Sequence, residues 1–309
     1  MRLIDELLRK LLLGCALIAL AMPVSAANRQ ADGGSKLAAS VPVTEILQDP
    51  AYQRRLDLKS AHALVVDEST GARLYSKNAT ARAPIASLTK LMTAMVVLDA
   101  KLSMNTRITI TKDDFDRLRG TSSRLQAGVT LTRRELLHLA LMSSENRASS
   151  ALARTYPGGR KACIAAMNRK ARALGLRNTS YADSTGLDGH NVSTAEDLAK
   201  IVRAAHGYAL IKEFTTCPRR LQPTARNAHP LEYKNTNPLV RKSEWDIAVS
   251  KTGYINEAGR CLVMQAQVGN RPLLIVLLDS QGKLTRVADA NRIKKWLEGP
   301  SQIFRTRKG

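Results

Sequence analysis

The sequence predicts an α+β fold in which an antiparallel sheet is built from N- and C-terminal strands, with a helical block between them. Strand patterns sit only towards the two ends of the chain: an early hairpin at 61–76 and three Val-, Leu- and Ile-rich runs at 246–280. Between them, apolar residues recur at helical spacing. The composition fits one packed domain, since 309 residues with 44% apolar content are enough for a sizeable core. Four cysteines are too few for a disulfide-built scaffold.

The elements follow in order. A strand at 61–67 turns through Ser69-Thr70-Gly71 and returns at 72–76. Leu88, Leu91, Met92, Met95, Val96 and Leu98 recur near the 3.6 period and predict a helix over 87–101. A second helix, 132–142, opens with Thr132-Arg133-Arg134-Glu135, a capping box in which threonine and glutamate each satisfy a free backbone N–H. Further helices are expected at 146–154, 160–174, 194–205 and 208–215, the third started by Thr194 with Asp197. Strands at 246–254, 260–269 and 272–280 and a last helix at 284–297 complete the chain.

The first 26 residues read as a secretory signal peptide. Arg2, Arg9 and Lys10 precede an apolar run over 11–22, Pro23 ends it, and Val24-Ser25-Ala26 offers small residues for cleavage. The run is shorter than the roughly 20 apolar residues of a membrane span. Residues 27–55, small and polar, are expected to form a flexible leader with at most a short helix; 56–299 a single domain; and 300–309 a basic tail. With 48 Lys and Arg against 26 Asp and Glu, the net charge is +22. For an exported chain, nucleic acid is not the expected partner. Anionic wall polymers or lipid head groups are, with at most peripheral membrane contact, although a plain soluble surface has the same charge. Cys163, Cys217 and Cys261 remain after cleavage and allow at most one internal disulfide. The cysteines lack C-x-x-C spacing and the five histidines lack H-x-H or H-E-x-x-H, so neither metal nor cofactor is expected.

Three short motifs carry chemistry. Ser87-Leu88-Thr89-Lys90 places a hydroxyl and an amine three residues apart at the start of a helix, where i,i+3 side chains meet. The serine needs a proton acceptor, and the lysine is one only when its pKa is lowered. S-x-x-K arises by chance about once in such a chain, and its second copy, Ser280–Lys283, sits in a glycine-containing turn. Of three S-x-N triplets, Ser76-Lys77-Asn78 ends the hairpin. Ser103 stands at the far end of the nucleophile helix, roughly 24 Å from Ser87. Ser144-Glu145-Asn146 lies between two helices and is free to approach. Lys251-Thr252-Gly253 ends a strand; a lysine and a hydroxyl there suit a substrate carboxylate, and the glycine leaves room for a substrate backbone.

In this order, 54 residues from Lys90 to Ser144 and 105 from Asn146 to Lys251, the motifs resemble those of the penicillin-recognising serine enzymes, the penicillin-binding proteins and serine β-lactamases. The segment from Pro84 to Ala94 resembles the nucleophile helix of low-molecular-mass penicillin-binding proteins, and that from Lys251 to Gly259 their K-T-G strand and turn. Leu141-Met142-Ser143-Ser144-Glu145-Asn146-Arg147-Ala148 is most similar to the D-alanyl-D-alanine endopeptidase subgroup. Glu145 departs from many relatives, which have a small residue there.

The resemblance covers about 61–297 and implies a β-lactamase/transpeptidase-like catalytic domain over 56–299. It implies that Ser87 forms an acyl-enzyme on D-alanine, with Lys90 taking the proton and Ser144 relaying it to the leaving amine. Asn146, Lys251, Thr252, Gly253 and Tyr254 are implied to bind substrate, and the N–H groups of Ser87 and Tyr254 to form the oxyanion hole. The implied partners are peptidoglycan stem peptides, with β-lactam antibiotics as covalent inhibitors. Between Arg147 and Ala195 the acids are Asp183 and Asp188, neither followed by Asn at the fourth position, so the E-x-x-x-N stretch of class A β-lactamases is missing. The 56 residues after Gly253 leave no room for the second β-rich domain and membrane helix of many family carboxypeptidases. The expectation is therefore a periplasmic endopeptidase; a carboxypeptidase on the same core, or a non-catalytic wall-binding protein, is the alternative.

Overall fold

The two strand-forming ends of the chain meet in one antiparallel sheet. The computed structural model describes residues 43–223 and 229–306, which belong to one compact unit. The sheet strands are Ser60–Asp67 (β1), Arg73–Lys77 (β2), Asp246–Ile255 (β3), Gly259–Val268 (β4) and Arg271–Ser280 (β5). Their spatial order is β2-β1-β5-β4-β3, so the early hairpin is sealed onto the late strands through the β1–β5 pair, with Val65 opposite Ile275.

The sheet is covered on both faces, which explains its near-continuous apolar runs. Alternate residues point to opposite faces. Leu64 and Val66 on β1 and Leu274, Val276 and Leu278 on β5 enter the core shared with the helical block. Ala63, Val65, Leu273, Ile275 and Leu277 enter a second core beneath the terminal helix. The helices are Val43–Gln48 (α1), Pro50–Gln53 (α2), Thr89–Asp99 (α3), Arg133–Met142 (α4), Asn146–Arg154 (α5), Gly159–Ala173 (α6), Ala195–His206 (α7), Ala209–Thr216 (α8) and Thr285–Thr306 (α9). α3 is buried from Thr89 to Val97, and α4, α5, α6, α7 and α8 pack against it. The Thr132–Glu135 capping box forms as expected.

Two boundaries differ from those expected. The leader reading of 27–55 fails over its last part, where α1 and α2 are helical and Leu47 is fully buried in the second core. Residues 1–42, including the signal reading of 1–26, lie outside the described residues. The tail expected from 300 is instead continuous with α9 as far as Thr306. The first difference is fixed by a contact to α9, Tyr52 Oη donating to the Trp296 carbonyl at 2.9 Å while Trp296 Nε1 donates to the Tyr52 carbonyl at 3.2 Å. Among the described residues no helix is long and apolar enough to cross a membrane, and Cys163, Cys217 and Cys261 are free thiols.

Candidate active site

The nucleophile stands on a strained turn. Ala86 adopts φ 47°, a conformation costly for a residue with a Cβ, and leads into a 3₁₀ turn, Ala86–Leu88, that continues as α3. Gly186, at φ +84°, lies directly beneath; a Cβ there would meet the Ala86 carbonyl oxygen at 1.9 Å and Ser87 N at 2.8 Å. Ser87 is partly exposed and Lys90 is buried. Lys90 Nζ lies 2.8 Å from Ser87 Oγ, 2.8 Å from Asn146 Oδ1 and 2.6 Å from the Thr185 carbonyl oxygen. Burial lowers the Lys90 pKa to about 8, against the pull of the Asp183 and Glu145 carboxylates, which favour the charged form. The two carbonyl oxygens have no proton to give. A neutral Lys90 therefore directs its two N–H bonds at them and its lone pair at Ser87 Oγ.

A second serine–lysine pair faces the first. α4 ends at Met142, and Ser144 at φ 61° turns the chain into α5, which Glu145 caps by accepting the Arg147 N–H at 3.3 Å. Lys251 Nζ on β3 donates to Ser144 Oγ at 2.9 Å and to the Thr252 carbonyl at 3.0 Å. Burial, then the Lys90 and Arg286 charges, hold the Lys251 pKa well below its ordinary value. Thr252 Oγ1 donates to Thr236 Oγ1 at 2.6 Å. At Gly253 the edge strand presses on the nucleophile turn: an added Cβ would sit 3.0 Å from the Ile85 carbonyl oxygen and 3.1 Å from Ser87 N. Tyr254 follows, half exposed.

Ser87, Ser144, Asn146, Thr252, Gly253 and Tyr254 line one cleft of about 590 Å³, with Lys90 and Lys251 buried and bonded to its two serines. The structure thus brings together all eight residues that the sequence singles out. It adds others that carried no signal. Thr185 contributes only a backbone oxygen, Thr121 accepts from Asn146 Nδ2 at 3.1 Å, and Thr236 supports Thr252. Asp183 accepts the N–H groups of Thr185 and Gly186, and Asn191 accepts those of Ala182 and Asp183, which fixes the loop beneath Ser87. Arg286, in the first turn of α9, lines the cleft, and its Nε and Nη1 have no hydrogen-bond partner among the described residues. Glu145 does not line the cleft: it accepts the Ser123 hydroxyl at 2.6 Å and lines a neighbouring groove.

A serine on a helix-initiating turn, a buried amine aimed at it, a second serine–lysine pair and an adjoining strand edge define a serine acyl-transfer enzyme of the penicillin-recognising class. The profile of the D-alanyl-D-alanine carboxypeptidase family matches residues 48–282. The chain is 47% identical over 242 residues to a D-alanyl-D-alanine endopeptidase of Pseudomonas aeruginosa and 43% identical over 242 residues to one of Escherichia coli, with 78% of each chain covered in both cases. Among solved structures it is similar to the Streptomyces K15 DD-transpeptidase, at 30% identity and a TM-score of 0.72, covering 79% of this chain and 98% of that one. This chain belongs to the D-alanyl-D-alanine carboxypeptidase family and is a serine-type D-Ala-D-Ala peptidase.

Proposed function

We propose that this peptidase is an exported, periplasmic endopeptidase that cuts the D-alanyl cross-links of peptidoglycan. The reading rests on one observation: Lys90 Nζ is 2.8 Å from Ser87 Oγ, with carbonyl oxygens as its two remaining partners. Neutral Lys90 takes the Ser87 proton as Oγ attacks the D-alanine carbonyl. The N–H groups of Ser87 and Tyr254 stabilise the oxyanion, each donor contributing about 3 kcal/mol of barrier lowering. The approach of Gly253 to Ser87 N supports their sharing one site. Ser144, held by Lys251, passes a proton to the leaving amine, and water then releases the acyl group. Asn146 holds the substrate amide. A substrate carboxylate meets Thr252 and the Arg286 side chain that lines the cleft, whereas Lys251 Nζ is turned towards Ser144 and donates to its hydroxyl oxygen. The endopeptidase reading is supported by similarity to the two endopeptidases, which exceeds the 31% identity to a Bacillus subtilis carboxypeptidase.

Chromatography of wall fragments incubated with the protein tests this. Cross-linked dimers are expected to become monomers with wild type and to persist with Ser87→Ala, which also loses labelling by a fluorescent penicillin. Loss of terminal D-alanine with dimers intact would make the protein a carboxypeptidase on the same core. Intact fragments with full penicillin labelling would overturn both peptidase readings.

A further inference from the structure

β3 is an edge strand: among the described residues its one sheet neighbour is β4, and past Gly253 it runs on through Tyr254 and Ile255 into a 3₁₀ turn, Asn256–Ala258. An edge strand has no second ladder to fix its position. The oxyanion site needs that position fixed, because one N–H comes from Tyr254 and the other from Ser87, on a different element. Before Tyr254 the strand is held by the Thr252–Thr236 hydrogen bond and by the close approach of Gly253 to Ser87 N.

Beyond Tyr254 the strand is held by Arg119. Its Nη2 donates to Glu257, in the turn that ends β3, lying 3.0 Å from Oε1 and 2.9 Å from Oε2. Nε of the same guanidinium donates to the Leu187 carbonyl. Leu187 follows Gly186 and Thr185, the residues that lie beneath Ala86 and meet Lys90. A guanidinium offers its donors in fixed directions within one plane, so a single side chain sets the separation of the two elements it joins. Arg119 is itself placed by a loop wound around Asp116, whose carboxylate accepts the N–H groups of Leu118, Arg119 and Thr121 at 2.8, 3.0 and 2.8 Å. Thr121 is the residue that accepts from Asn146, and Arg119, Thr121, Leu187 and Tyr254 all line the cleft.

We infer that Arg119 is a positioning residue for acylation: by tying Glu257 to Leu187 it holds the Tyr254 N–H in register with Ser87. The inference rests on the Ser87 acyl-transfer reading and is indifferent to which D-alanyl bond is cut. The two side chains are 24% and 52% exposed, so their ion pair adds little to folding stability, and its effect is on geometry. Direct binding of substrate by Arg119 is the competing role. The two roles predict opposite effects of Glu257→Gln, since freeing Arg119 strengthens a substrate contact but slackens a tie.

The test is the acylation rate as a function of fluorescent-penicillin concentration, which separates the limiting rate from the half-saturating concentration. Arg119→Ala is expected to lower the limiting rate about tenfold or more, as a sub-ångström shift of a reacting group does, with the half-saturating concentration within about twofold of wild type. Glu257→Gln, isosteric and half exposed, leaves the fold undisturbed and is expected to lower the limiting rate about threefold or more. The double variant is expected to be no slower than Arg119→Ala, because the second change removes a partner already lost. Arg119→Lys, with one nitrogen for two acceptors, is expected to recover only part of the rate. A limiting rate of Arg119→Ala within about twofold of wild type, a loss confined to the half-saturating concentration, a faster Glu257→Gln, or additive losses in the double variant would overturn the inference and leave the peptidase reading intact. A wild type that penicillin does not acylate would sink the acyl-transfer reading and the tie with it.

Discussion

At the scale of single residues, reactivity depends on the protonation of Lys90. With burial lowering its pKa to about 8, the amine is largely protonated at neutral pH, and the fraction able to accept the Ser87 proton grows about tenfold per pH unit until that value is passed. The acylation rate with a fluorescent penicillin is therefore expected to rise with pH and level off above about pH 8. Glu145 is one of two carboxylates that hold this pKa up, so Glu145→Gln is expected to move the rising limb to lower pH. A limb that stays in place, or moves to higher pH, would show that Glu145 does not act on Lys90 electrostatically. Ser87, Lys90, Ser144, Asn146 and Lys251 were legible because their side chains do chemistry that few other types can do, at spacings the elements turn into contacts. Thr185 was not, because any residue can present a carbonyl oxygen. Arg286 was not, because a basic residue opening a helix in a chain of net charge +22 is unremarkable until folding sets it beside Thr252.

At the scale of elements, the site depends on a loop beneath the nucleophile turn. Asp183 and Asn191 fold 183–191 so that Thr185 meets Lys90 and Gly186 meets the Ala86 carbonyl. Gly186→Ala is doubly disfavoured, by φ +84° and by the 1.9 Å contact its Cβ would make with backbone. The turn must shift, and a displacement of about 1 Å at a reacting atom costs on the order of a hundredfold in rate. The variant is expected to keep its far-UV circular dichroism yet be acylated by penicillin about a hundredfold more slowly. Acylation at the wild-type rate would mean that the Ser87 turn tolerates the shift. Helix α5 was legible to the residue, at Asn146–Arg154, although its cap, Glu145, is not a residue type that announces a helix start. Short ribbons such as Arg107–Thr109 with Thr130–Thr132 were not, because three residues are too few to display a period of two and their pairing is non-local.

At the scale of the whole molecule, the sheet joins β1 to β5 across more than 200 residues of sequence, and the sequence showed which strands exist but not which neighbours they take. Hydrophobic alternation tells a face from its opposite, not a partner from another partner. The least legible feature was the closure on the outer face, where α9 and the two short N-terminal helices cover the sheet. Ala290, Ile293, Trp296 and Leu297 on α9 and Leu47 on α1 share that core, and Tyr52 is tied to Trp296 by two hydrogen bonds and by rings whose centroids lie 5.5 Å apart. The cleft opens elsewhere, and Trp296 does not line it. Trp296→Ala empties a large, 8% exposed site and removes one of the two donors to the Tyr52 carbonyl, leaving the Arg55 N–H at 3.1 Å, a change expected to cost about 3 kcal/mol. In a chain of this size that corresponds to a fall in melting temperature of about 5 °C. Because the site groups stay in place while the chain is folded, penicillin acylation measured well below the melting transition is expected to remain within about twofold of wild type. A lowered melting temperature with intact acylation would separate closure of the outer face from the chemistry. Loss of both at low temperature would show that the terminal helix also holds the cleft in shape, through Arg286 at its first turn.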